Sequence, residues 1–104
     1  MAAEFVDYYV IFDLERSMTE KEIKKKMAEW SNMLTAQEGT TDPSNIEAKK
    51  ELKENKARLR EARKILFNAE KRKQYDMELD AAIRAGQVNY EKAREVKDSL
   101  ERAR

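Results

Sequence analysis

The side chains that could do chemistry here are carboxylates, amines, guanidinium groups and hydroxyls, because the 104 residues include no His and no Cys. That absence excludes disulfides, thiolate and imidazole metal sites, Ser or Cys nucleophiles activated by His, and an imidazole pH switch. Asp7, Asp13 and Glu15 fall close together near the start and have the oxygen chemistry of a metal or acid/base site. No partner base accompanies them, so no catalytic residue, metal or other cofactor is assigned, and an enzyme is not expected. Lys24, Lys25 and Lys26 form a basic run that reads either as a docking patch for a partner or as a solvated helix face. Between residues 47 and 66 eight Lys or Arg stand against four Glu. Such a surface can track a phosphate backbone, but Glu47, Glu51, Glu54 and Glu61 are interspersed for pairing one turn along a helix.

The elements that must position these groups follow from composition and spacing. Charged residues make up 41% of the chain, against about a quarter in an average protein. Over half of the residues are Ala, Glu, Lys, Leu or Arg, while only 2 Gly and 1 Pro are available for tight turns. An all-α fold is therefore expected, and a sheet protein is not. The formal net charge of +1 gives the whole molecule no strong field toward nucleic acid or an anionic membrane. The longest apolar run, Tyr8 to Phe12, is far short of the roughly 20 residues that span a bilayer. The expected location is cytoplasmic.

Tyr8, Tyr9, Ile11, Phe12 and Leu14 crowd apolar side chains into a short first helix of about two turns, bounded by Asp7 and by Glu15 and Arg16. Thr19 with Glu22 is a capping box that starts a second helix, and Ile23, Met27, Trp30 and Leu34 recur on one face of it. Trp30 stands in that stripe and reads as core rather than as an exposed partner anchor. Lys21, Lys24, Lys25 and Glu29 lie opposite. The stripe stops after Leu34, so Thr35 to Pro43 reads as a loop of about nine residues. Ser44 with Glu47 offers a second capping box for a third helix that buries Leu52, Leu59, Ala62 and Leu66. Asn68 caps a fourth helix from Glu70 to about Ala85 with Tyr75 and Leu79 inward, and Gly86 is placed for a left-handed C-cap. Asn89 caps a last helix whose Ala93, Val96, Leu100 and Ala103 share a face.

Asp7-Tyr8-Tyr9, then Leu14, then Thr19-Glu20-Lys21-Glu22-Ile23-Lys24-Lys25 resembles the opening of a J domain, the DnaJ-type co-chaperone module. Glu61-Ala62, Ile65-Leu66, Glu70-Lys71-Arg72 and Tyr75-Asp76 are similar to the end of that family's third helix and to its fourth. The likeness spans about residues 7 to 76. It implies an antiparallel pair of helices two and three closed by short flanking helices, and it assigns residues 1–86 to a J-like domain and 87–104 to an additional C-terminal amphipathic helix. It also implies that Arg72 and Asp76 brace the end of helix four.

The family's activity rests on a His-Pro-Asp tripeptide in the loop after helix two, beside a basic helix face that engages a DnaK-type chaperone. In this chain an ungapped alignment puts that tripeptide on Thr35, Ala36 and Gln37, none of which matches. Lys24 and Lys25 retain part of the basic face, whereas Ala28 and Glu29 occupy two positions that are usually basic. The resemblance thus implies a degenerate J-like protein-binding module that does not stimulate a DnaK-type ATPase, with Lys24 and Lys25 as its partner-binding residues. The alternatives are a divergent co-chaperone of a DnaK-type chaperone and a nucleic-acid binder using the third helix. The expected partner is another protein, either a DnaK-type chaperone or further domains of a larger chain. The apolar face of the last helix offers a fold-back, a homodimer contact or a connection onward.

Overall fold

The computed structural model describes residues 5–102. It is all-α, with helices α1 (Tyr8–Ile11), α2 (Glu20–Thr40), α3 (Ile46–Leu66), α4 (Ala69–Arg84) and α5 (Tyr90–Glu101). Each starts on a side chain that satisfies backbone donors left free by the first turn. Asp7 accepts from the amides of Tyr9 and Val10, and Asn45, Asn68 and Asn89 accept from those of Ala48, Lys71 and Lys92. Thr19 and Glu22 form the reciprocal box at the start of α2.

Two helix ends close in the same way with different residues. After α4 the Gln87 amide donates to the Ala82 carbonyl and the Gly86 amide to Ile83, with Gly86 at φ +69°. After α1 the Leu14 amide donates to Tyr9 and that of Asp13 to Val10, with Asp13 at φ +54°. Both are Schellman closures, in which the residue past the cap turns left-handed. Asp is among the few side chains that tolerate this conformation. The closure shortens α1 relative to the expected two turns and lets Phe12 and Leu14 fall inward as buried residues.

The expected loop from Thr35 to Pro43 is corrected: α2 continues without a break to Thr40, and Thr35, Ala36 and Gln37 are helical. Leu34 is the last core residue of the helix, but Ala and Gln are adequate helix formers and no breaker intervenes before Gly39. The Thr35 hydroxyl folds onto the Ser31 carbonyl at 3.0 Å, and Lys56 of α3 pairs with Glu38 at 2.5 Å. The chain turns only at Asp42-Pro43-Ser44, where Asp42 accepts from both the amide and the hydroxyl of Ser44. Ser44 is thus engaged in that turn. The cap of α3 is its neighbour Asn45, which corrects the Ser44–Glu47 box.

Helices α2 and α3 are an antiparallel pair: Lys24 in the second turn of α2 lies over Phe67 just past α3, and Glu38 near the end of α2 reaches Lys56 in mid α3. Ile23, Met27, Trp30 and Leu34 face Leu52, Leu59, Ala62 and Leu66 within one core that also takes in Phe12, Tyr75 and Leu79. Removal of a Trp or Phe of this kind from water contributes about 2–3 kcal/mol. Trp30 is core, and its indole nitrogen donates to the Phe12 carbonyl at 2.9 Å. Helix α5 folds back, burying Ala93, Val96 and Leu100 in the same core beside α1 and α3. Ala103, expected on that face, lies outside the described residues. No helix among the described residues is long and apolar enough to cross a membrane.

Candidate functional site

Lys24 and Lys25 are both exposed on α2. Thr35, Ala36 and Gln37 lie further along the same helix, about 15–20 Å away at 1.5 Å per residue. The structure therefore does not bring the two groups together. Lys25 makes no ion pair among the described residues, whereas Lys24 sits 3.9 Å from Glu20, at the edge of pairing distance. Thr35 and Ala36 are exposed, while Gln37 is half-buried and its Oε1 has no hydrogen-bond partner.

The antiparallel register gives Lys24 neighbours that the sequence did not announce. Its Nζ stands 5.5 Å from the centre of the Phe67 ring, and the Arg63 guanidinium stands 5.8 Å from the same centre. Both are within the range of cation–π attraction. Together with Ala28, Ser31 and Asn32 these three side chains line a cleft of about 170 Å³ between α2 and the end of α3. Arg63 and Phe67 are four positions apart on one helix face, but only the pairing of α3 with α2 sets Lys24 opposite them.

A larger groove of about 430 Å³ lies between α4 and the start of α2, lined in part by Arg72, Asp76 and Asp80. Those three charges are already engaged within the fold. Arg72 donates to the carbonyls of Arg16 at 3.0 Å and Met18 at 2.9 Å and to the Tyr9 hydroxyl at 3.2 Å. Tyr9 in turn donates to Asp76 at 2.5 Å, and Arg16 pairs with Asp80 at 2.8 Å. Arg72 and Asp76 therefore hold the α1–α2 connection against α4, rather than bracing the end of α4. Burial, followed by the hydrogen bond to Asp76, pushes the Tyr9 hydroxyl above its ordinary range. Burial does the same to Tyr75, whose hydroxyl accepts from the Tyr8 amide and donates to the Val6 carbonyl. Both phenols stay protonated at neutral pH and act as structural bridges.

The early carboxylates do not converge. Asp7 is buried as the cap of α1, Asp13 lies 3.5 Å from Lys26 and 3.6 Å from Lys97, and Glu15 accepts from Ser17. Lys26 of the basic run is thus engaged internally. Among the described residues no group of three or more acidic side chains is placed to hold a metal ion. On α3, Lys56 and Lys64 pair with Glu38 and Glu61. No family model, curated protein or solved structure matches the chain.

Proposed function

We propose that the chain is a J-like protein–protein interaction module that holds a partner protein on the outward face of α2 and does not stimulate a DnaK-type ATPase, with the cytoplasm as its expected compartment. One observation carries the reading: the positions aligned with the family's essential loop are continuous helix. Thr35 returns its hydroxyl to its own helix, and no imidazole, proline kink or carboxylate stands at 35, 36 or 37. Lys24 and Lys25 meanwhile remain exposed for contact. The order of the helices and the two motif blocks support the J-like assignment.

Single-turnover ATP hydrolysis by a DnaK-type chaperone, with and without the chain, tests this, and an unchanged rate is the expected result. Acceleration would instead establish the second reading, a divergent co-chaperone, for which the exposed Lys24 and Lys25 speak. Pull-downs from native lysate supply the positive arm: the partner retained by the wild-type chain should be lost on Lys24→Glu combined with Lys25→Glu.

A further inference from the structure

We infer that the cleft between α2 and the end of α3 is a carboxylate-recognition site, in which Arg63 and Lys24 take a Glu or Asp side chain from an acidic segment of the partner protein. The inference rests on the reading of the chain as a protein-binding module. It goes further in naming the partner's chemistry and in moving the centre of the contact from α2 alone to the seam with α3.

Arg63 has the strongest claim. It presents five N–H donors in a planar fork suited to a carboxylate, yet no carboxylate lies within ion-pair distance of it among the described residues. Arg16, Lys26, Lys56, Lys64, Lys97 and Arg102 are paired within the domain, whereas Lys25 and Arg60 on the same two helices share with Arg63 the lack of an ion pair among the described residues but do not line the cleft. Lys24 lines the same cleft and stands against the same Phe67 ring, with only a distant contact to Glu20. Two like charges over one ring repel each other, and the negative face of the ring offsets only part of that cost. A carboxylate held in the cleft by the Arg63 fork reduces that repulsion and lets the flexible Lys24 ammonium approach it as a second donor.

The cleft also has the right size. At about 170 Å³ and open to solvent, it has room for a carboxylate with its methylene stem. Ser31 and Asn32 at one wall supply neutral hydrogen-bonding groups, and the half-buried Phe67 gives the stem an apolar surface. Exposed Lys21, Lys25 and Arg60 on the same two helices favour further acidic residues flanking the anchor. A phosphate backbone fits less well. Glu20, Glu29 and Glu61 are exposed on these helices and interrupt any continuous cationic stripe, and the net charge is only +1.

The test is fluorescence-anisotropy titration of the full chain with a labelled peptide in which Glu alternates with apolar residues. Its Gln analogue and a single-stranded oligonucleotide of equal charge serve as comparisons. The acidic peptide should bind saturably and the Gln analogue should bind about tenfold more weakly. Arg63→Gln and Lys24→Gln should each weaken the acidic peptide about tenfold, whereas Lys49→Gln, at the far end of α3, should leave it unchanged. Circular dichroism should show the same helicity in all variants. Because Arg63 and Lys24 belong to different helices, the loss of one fold still leaves the other variant to decide.

No saturable binding, equal loss on Lys49→Gln, or tighter binding of the oligonucleotide would each overturn the carboxylate site. Failure here is distinguishable from failure of the broader reading. Accelerated ATP hydrolysis would remove the non-stimulating module and leave the cleft intact. Partner capture that needs Lys25 but ignores Arg63 would do the reverse.

Discussion

The α2–α3 pair has two unlike ends. At one, the start of α2 and the end of α3 are enclosed by α1 and α4, with Phe12, Trp30, Leu66, Tyr75 and Leu79 buried together and aromatic rings in mutual contact. At the other, residues 35–49 include no fully buried side chain, and the turn is held by Asp42, Ser44 and the cap Asn45. The first end derives its stability from apolar area and the second from local hydrogen bonds. It is the second end that carries Thr35, Ala36 and Gln37. A region without core contacts can change its residues at little cost to the fold, so substitutions at 35–37 should be tolerated far better than those at the enclosed end.

Substitutions can break that contrast. The largest effect is expected from Phe12→Ala at the enclosed end, about 3–5 kcal/mol, a large part of the roughly 5–15 kcal/mol that holds a domain together. Urea unfolding should show a midpoint shifted far down or no cooperative transition. Ile46→Ala, removing a side chain that is 78% exposed at the open end, should stay within about 0.5 kcal/mol. A comparable loss from the two would mean that the ends do not differ.

Tyr75→Phe comes next. It keeps the ring but deprives the Tyr8 amide and the Val6 carbonyl of their shared partner, at a cost of about 1–3 kcal/mol measured by the same unfolding curves. The two glycines sharpen the comparison further because their signs should oppose. Gly86→Ala places a side chain at φ +69° and should destabilise by about 1 kcal/mol, although space is available. Gly39→Ala, in the regular helix of the open end with nothing nearby, should stabilise by about 0.5–1 kcal/mol. Thermal melts of the two variants should bracket the wild type.

The smallest effect concerns Glu51, where the hydroxyl of Ser99, and then Arg102, hold the carboxyl below its ordinary value. Because the folded group ionises more readily than the unfolded one, its contribution is present above the unfolded value and is lost as pH falls through the folded one. Between about pH 5 and 3 the wild type should therefore lose stability more steeply than Glu51→Gln. Parallel loss in the two would show that the α3–α5 bridge contributes nothing.

Much of the enclosed end was legible in the residues. Ile23, Met27, Trp30 and Leu34 repeat with helical spacing because one face meets a core, and Asn68, Gly86 and Asn89 mark boundaries that any helix must satisfy. The open end was not, for the same physical reason. Once α2 runs past its core contacts at Leu34, its periodicity has no apolar signal, although the helix itself continues. Ser44 and Asn45 are both competent caps, and only the bonding of Asp42 to Ser44 decides between them. Of the candidate site, Lys24 and Lys25 could be singled out as exposed cations on one helix. The meeting of Lys24 with Arg63 and Phe67 depends on the antiparallel register, which no local spacing encodes.

The Tyr75 hydroxyl that bridges Val6 and Tyr8 closes a loop of 67 residues. A chain emerging from the ribosome makes residues 5–12 well before their clasp at Tyr75. Helices α2 and α3, neighbours in sequence, can associate while synthesis continues, but the aromatic segment at 5–12 must wait for both α4 and α5. Until α4 and α5 have been made that segment is uncovered apolar chain, so the order of manufacture as well as the final fold sets an interval in which it is exposed to aggregation.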